Sequence, residues 1–455
     1  MKSVPDILPV IKIIFCSGVN FSKAPGKEEK MRRVFLGSLV TVVFSILFLA
    51  FFTRNANAIP AFARKYKTSC VLCHAPFPRL TAMGEAFRLN GYKLPQADEI
   101  YVKEQPVSMG AEAYKKVFPE AIWPSTIPGI PPLAVRIIGD ATFHPFGDQT
   151  NRSEFNFPGE FTILGAGAFG ENFAFFADLG FEKEDDGSYS TNPRAWLMWQ
   201  NLFSGLIGGH HFNLKAGNVG RHTIALPNTR NENSFTVEDY LYVTELDLDN
   251  EPGFQADGYG RHWRYGVGIV ETDTENSDKD YYGTFSLKFG GLGYDGSGGK
   301  SEAGGVGTTP SGYWRDDSVL FGGFAYRSHI GVNADPYDRI GGDVRINYKD
   351  LSLAGGYIHG SNDQSEVNKD IWFGEAQYFV LPWMVPYLRY ENLSATKTVD
   401  DGDQERFVVG SALLLRANIK FSVEGEFYTK NEPIEAKGGD AKDADQIFIQ
   451  LDWAF

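Results

Sequence analysis

The stretch FARKYKTSCVLCHAPFPRL, residues 62–80, holds Cys70, Cys73 and His74 as a single Cys-X-X-Cys-His. Two thiols three residues apart, followed at once by an imidazole, suit covalent attachment of a c-type haem. Each cysteine forms a thioether with one vinyl group, and His74 reaches the iron as the proximal ligand. The rival uses of such cysteines are a thioredoxin-like redox pair or half of a zinc site. No second cysteine pair exists to complete a zinc site, and no βαβ pattern flanks the motif. The chain has three cysteines, and Cys16 lies upstream of the expected mature start. Cys70 and Cys73 are then both used by one haem, and an exported chain of this kind has no structural disulfide.

The motif does not fix the distal iron ligand. A methionine would raise the potential and a histidine would lower it. Met83 lies close in sequence, a position that argues for the wrong side of the ring. Met109, in a linker, has the freedom to fold over the haem and is preferred. His144, the barrel histidines and an open position remain alternatives. His210-His211 suggests a metal pair, but adjacent histidines on a strand or loop are more often solvated.

The elements that position this motif begin with what is removed. Met31-Arg32-Arg33 starts a basic region, residues 34–52 are almost wholly apolar, and NANA ends at Ala58. That is a signal peptide over 31–58 with a mature start at Ile59. Residues 1–30 read as an upstream extension of the gene start. The haem segment is then 59–95. Pro78 suits a first helical turn and Asn90-Gly91 a stop. Leu80, Met83, Gly84 and Phe87 fall on one helical face between them. Six basic residues (Arg64, Lys65, Lys67, Arg79, Arg88, Lys93) stand against one acid, Glu85. Haem propionates or plain solvent would both satisfy them. Thirty-seven residues are too few to bury a haem unaided, so the rest of the chain must supply a second surface.

That remainder reads as a barrel. In QIFIQLDWAF, 446–455, Ile447, Ile449, Leu451, Trp453 and Phe455 alternate with a mostly polar set. Ile419, Phe421, Val423, Gly425 and Phe427 behave likewise against Lys420, Ser422, Glu424 and Glu426. Working back from Phe455, connections alternate in length: 429–445 long, 414–418 short, 394–405 long, 381–384 short, 360–369 long, then Lys349-Asp350. Transmembrane barrels of the outer membrane have short periplasmic turns and longer outside loops. A soluble sandwich has no reason for that alternation. Fourteen per cent aromatic residues and 50 glycines suit aromatic girdles and tight turns. The fold class is therefore all-β, an antiparallel outer-membrane barrel over 133–455, with a small helical N-terminal cytochrome segment. At roughly ten residues per strand it holds about sixteen strands. Strands are expected at 135–143, 160–169 and 173–183, the register blurs over 220–317, and 293–313 reads as an outside loop. Residues 96–132, rich in proline, form the linker.

Residues 59–455 carry 35 basic and 54 acidic side chains, net −19, of which the haem segment contributes +5. A basic haem segment suits an acidic barrel lumen. The alternative is that acidic outside loops merely bind divalent ions bridging lipopolysaccharide. So acidic a chain is no partner for nucleic acid. Inward acids such as Glu424, Glu426 and Asp452 suggest guidance of cations, although lumen carboxylates occur in any porin.

The stretch 58–92 resembles the fused outer-membrane cytochrome–porins, which include iron oxidases of iron-oxidising bacteria. The resemblance rests on PAFAR, the single CXXCH, Pro78–Leu80, the Gly84 and Phe87 pair, and NGY; LTAMG stands where LNAFG is typical. It covers about thirty-five residues, and the remainder matches in architecture only. It implies one haem c, an extracellular donor such as Fe(II), a periplasmic c-type cytochrome as acceptor, and residence in outer-membrane lipid. The reaction implied is one-electron transfer, so no acid, base or nucleophile is sought, and the sequence holds no P-loop, GxSxG or HExxH. A porin with a structural haem plug, electron export through the same conduit, and a periplasmic cytochrome with a soluble β-domain are the competing expectations.

Overall fold

The structure is a computed structural model. It describes residues 61–455 except 76–77, 96–97, 99–101, 103–106, 108–109, 123–131, 146–152, 185–186, 221–235, 238–239, 242–249, 272–278, 299–311, 329–335, 364–367 and 397–401. The upstream extension, signal peptide and cleavage site expected over 1–58 lie outside the described residues, as does Met109.

Sixteen strands, from β1 (Leu133–Phe143) to β16 (Gln446–Ala454), form one closed antiparallel barrel in which each strand pairs with its sequence neighbours. β1 and β16 close it, in a register running from Arg136↔Ala454 to Phe143↔Ile447. The first strands stand at Leu133–Phe143, Ser153–Phe169 (β2) and Phe173–Lys183 (β3), over the segments the alternation marks.

Period-two patterning sets which face goes where. Along β16, Phe448, Gln450, Asp452 and Ala454 are buried, while Ile447, Ile449, Leu451 and Trp453 are partly exposed on the outside. On β13 (Met384–Ala395), Leu388 points out at 48% exposure and Arg389 points in at 0%. The outer face carries Phe254, Phe285, Phe321, Trp372 and Leu388 in the open. Apolar residues coat the exterior, while the interior mixes buried charges with an apolar cluster that includes Val270, Phe324, Ile358, Ile371 and Phe373.

The turns 349–350, 379–383 and 417–418 all fall at one end of the barrel, where β1 begins. The loops 363–367, 396–403 and 432–445 fall at the other. Connection 291–317 breaks the pattern. It joins β8 (Asp280–Gly290) to β9 (Ser318–Arg327), so it emerges at the short-turn end and is no long-end loop. Its described residues 312–317 pack there: Trp314 stacks on Phe379 and donates to Asp350, and the Tyr313 hydroxyl donates to the Pro382 carbonyl. The register blurs over 220–317 because two long connections, 221–249 and 291–317, interrupt it on opposite ends.

Two bodies occupy the lumen. One is the N-terminal segment, with α1 (Ala61–Tyr66), a single 3-10 turn at Cys70–Leu72 and α2 (Ala82–Leu89). It is tied to the short-turn end: Arg64 donates to the Leu133 carbonyl, Lys93 to the Glu171 carbonyl, and Ala75 packs with Phe379 and Val385. The other is made of residues 236, 237, 240 and 241, the described part of the connection between β5 (Asn213–Gly220) and β6 (Asn250–Tyr259), all four buried. Its Val237 and Leu241 N–H groups donate to Glu424 and Glu391. In the linker, α3 (Glu112–Val117) buries no residue.

Candidate functional site

Cys70, Cys73 and His74 sit inside the barrel, on the plug side of a cavity of about 490 Å³. The opposite wall comes from β1 to β8. It includes Arg136, Asp178, Lys215 and Thr284, with Trp196 and Met198 of β4 (Tyr189–Trp199). Plug and wall together enclose what a short segment could not enclose alone.

Local hydrogen bonds shape the motif. Leu72 N–H donates to Ser69, and the Cys73 and His74 N–H groups both donate to the Cys70 carbonyl. That tight turn brings both sulfurs and the imidazole to one side. The His74 Nδ1 lies 2.8 Å from the Pro78 carbonyl oxygen. A carbonyl only accepts, so Nδ1 carries the proton and Nε2 keeps its lone pair, the tautomer a metal-ligating histidine needs. Ala75 N–H donates to the Arg79 carbonyl and Thr81 N–H to the Cys73 carbonyl, closing the segment into a small hairpin.

Pro78 does not open the helix as its residue type suggests. Thr81 caps α2 instead: its Oγ1 accepts from Gly84 N–H at 3.0 Å and donates to the Leu72 carbonyl at 2.8 Å. A hydroxyl at this place satisfies one orphan helix N–H, which Pro78 has no side chain to do. Gly91, at φ +63°, ends the helix as its left-handed exit. Gly84 lets α2 lie against the motif: a Cβ there would stand 2.1 Å from the Cys73 carbonyl oxygen. Phe87 is buried among Tyr66, Tyr92 and Leu94. Phe62 meets the Phe87 ring edge-on at 5.0 Å and stacks on Tyr92 at 5.3 Å, and Tyr92 stacks on Trp196 at 5.9 Å. All four rings line the cavity, Trp196 from the wall and the others from the plug, an apolar lining a macrocycle can pack on.

The thiols do not suit redox exchange. Burial pushes the Cys73 thiol up to about 12, and the Cys70 thiol is raised by burial too. A thioredoxin-type pair needs a lowered pKa. The residues therefore fit a covalently attached haem c: two thiols and one correctly tautomerised imidazole on one side, aromatic rings and a polar wall around them.

Of the distal candidates, Met83 packs against the Tyr66–Phe87–Tyr92 cluster. His144 follows β1 at the end opposite the plug. His210 stacks on Tyr259, its Nδ1 3.0 Å from that hydroxyl, and His211 packs against Trp263. Met198, overlooked at the level of sequence, faces the cavity at 4% exposure. Alternation along β4 places it on the inward face with Arg194 and Trp196, the one signal that pointed to it.

The inward acids are engaged with partners. Glu424 accepts from Val237 N–H and from the Tyr387 hydroxyl, both at 2.8 Å. Glu426 pairs with Arg406 at 2.8 Å, and Asp452 with Arg136 at 2.8 Å and Lys420 at 3.7 Å. They hold the wall and the inward connection, and cation guidance is not what their contacts describe. Four of the six basic plug residues have protein partners as well: Arg64 and Lys93 on carbonyls, Lys65 4.0 Å from Asp98, Arg79 on Gln377 and Ser352.

The chain is thus a closed 16-strand antiparallel barrel with a helical plug, and it resembles outer-membrane porins. Solved structures similar to it include an anion-selective porin from Comamonas acidovorans, at 12% identity over 71% of this chain and 98% of that one, TM-score 0.48. Another is OmpT, an outer membrane protein of Vibrio cholerae, at 10% identity over 71% and 98%, TM-score 0.45. OmpF of Salmonella typhi matches at 10% identity over 71% and 97%, TM-score 0.44. No protein-family model matches the chain. No curated protein matches it either.

Proposed function

We propose that the protein is an outer-membrane electron-transfer conduit carrying one haem c on Cys70 and Cys73, with His74 as proximal ligand. The donor is extracellular, Fe(II) by the family resemblance, and the acceptor is a periplasmic c-type cytochrome. The observation that carries this reading is that the motif faces a cavity inside the barrel, with His74 Nδ1 bonded to the Pro78 carbonyl. A barrel of this kind presents an apolar band about 25 Å tall. Electron tunnelling decays steeply with distance, so a redox centre at one rim would not serve both sides. A centre within the lumen is approached from either mouth. The exposed outer aromatics support the membrane setting, and the short-turn end is read as periplasmic.

When bound, the haem supplies a one-electron couple. The chain's own residues do the rest. Cys70 and Cys73 would hold it covalently, the Pro78 carbonyl keeps the proton on His74 Nδ1 so that Nε2 could bind the iron, and the Phe62, Tyr92 and Trp196 rings line the same cavity. A porin with a structural haem plug is the second reading, favoured by the 16-strand barrel itself.

The test uses the haem-loaded protein in sealed liposomes without oxygen. Fe(II) is added outside while the visible haem bands are followed. Rapid reduction, followed by reoxidation by an enclosed acceptor, is the expected result. Reduction by dithionite but not by Fe(II) would remove iron as donor, and the midpoint potential would then separate electron export from a passive plug.

A further inference from the structure

We propose that Arg79 is a positioning residue for His74, and that the inward connection reaches the same histidine through Tyr240. This rests on the haem c reading above. Residues 78–80 form the far side of the His74 hairpin: Pro78 supplies the Nδ1 acceptor, Arg79 the acceptor for Ala75 N–H, and Leu80 a bridge to His74. Whatever holds residue 79 therefore holds the imidazole.

Arg79 is held by the barrel wall. Its guanidinium is 7% exposed and reaches strands nearly three hundred residues away. It donates to Gln377 Oε1 and, at 3.1 Å, to Ser352 Oγ. Those two residues face each other in register across β11 (Leu351–Asn362) and β12 (Asn368–Tyr378). A buried guanidinium loses much if its donors go unmet, so this contact is a firm anchor.

The anchor continues upward along one face of β12. Gln377 donates its Nε2 to Glu375 Oε1, two residues on and so on the same side of the sheet. The second carboxylate oxygen, Oε2, accepts from the Tyr240 hydroxyl at 2.8 Å. Tyr240 belongs to the described part of the inward connection, residues 236, 237, 240 and 241 between β5 and β6. Its ring lies 4.1 Å from the Arg389 guanidinium and 5.2 Å from the Phe373 ring. Arg389 in turn donates to Thr236 of the same connection. The series Tyr240, Glu375, Gln377, Arg79, His74 thus joins the inward connection to the proximal ligand.

The test uses the full chain in detergent and begins with quantification of covalent haem. Absence of haem in the wild type would defeat the haem c reading and leave this proposal to a second readout, amide exchange at Ala75. With haem present, the hyperfine-shifted haem methyl resonances of the oxidised protein report the plane of the His74 ring. Tyr240→Phe removes one hydroxyl and keeps the ring packing. It is expected to change the order or spread of those resonances in the same sense as Arg79→Gln, the double variant adding nothing beyond the larger single change. Arg79→Lys should recover part of the wild-type pattern. In haem-free protein, Tyr240→Phe should speed Ala75 amide exchange severalfold. A wild-type methyl pattern in folded Tyr240→Phe, or strictly additive shifts in the double variant, would overturn the coupling.

Discussion

Gly84→Ala is the sharpest test of how the plug is built. The added Cβ would stand 2.1 Å from the Cys73 carbonyl oxygen and 3.0 Å from the Cys73 Cα, both backbone atoms. An ordinary carbon–oxygen contact is about 3.3 Å, so the overlap is about 1.2 Å. No side-chain rotation relieves it, because the oxygen is fixed by Thr81 N–H at 2.9 Å. Either α2 or the motif must move. Overpacking of this sort costs about 1–3 kcal/mol, and backbone opposition puts this case at the upper end. At about 3 kcal/mol the docked-to-undocked ratio of the plug falls roughly a hundredfold. The assay is limited trypsin digestion of the folded barrel, with covalent haem per barrel measured alongside. Cleavage after Lys67 or Arg88 should quicken and haem loading should fall. Gly374→Ala on β12, where an added Cβ meets nothing within 4 Å, is the control and should behave as wild type. Equal trypsin resistance and equal haem loading in Gly84→Ala would refute the packing argument.

Other outcomes follow from the same contacts. His74→Ala should keep the covalent haem on Cys70 and Cys73 while changing its visible and spin-state spectra; unchanged spectra would mean that His74 is not the proximal ligand. In the haem-free chain, burial raises the Cys73 thiol from 9.0 to about 12, which lowers its thiolate fraction near pH 8 by about a thousandfold. Maleimide labelling of Cys73 should then be slow in the folded protein, fast in denaturant, and quicker as pH rises toward 12. Because folding raises this pKa, the haem-free plug is also expected to lose stability above the ordinary thiol range, read as faster trypsin cleavage there. Glu391→Ala strips the carboxylate that lies 3.2 Å from Arg389 Nε, 2.8 Å from Arg406 Nε, and accepts from Leu241 N–H. Arg406 keeps Glu426 and Arg389 keeps Glu375 and Thr236, yet removing one partner from a buried ion pair costs about 3 kcal/mol, so the barrel's heat-modifiable gel shift should occur at a lower temperature. An unchanged shift temperature would show the network to be dispensable.

The sequence by itself determined the features that depend on neighbours in the chain. Period two over 419–427 and 446–455 marks strands because successive side chains of a strand point to opposite faces. With two surrounding media, an apolar and a polar face then decide inside from outside. Cys70, Cys73 and His74 are legible because their chemistry needs only a spacing of three and an adjacent residue. Close to the motif local logic already weakened: Pro78 looked like a helix start, and only the folded hairpin made its carbonyl the partner of His74. Beyond that range the sequence was silent. It could not show that 291–317 packs at the short-turn end, because loop length alone carries no record of which end a connection serves. It could not bring Arg79 to Gln377, Tyr240 to Glu375, or Met198 to the cavity. Those meetings exist because sixteen strands close into a ring, which sets residues hundreds apart in sequence around one shared interior. Burial within that interior then obliges each charge and hydroxyl to find a partner there.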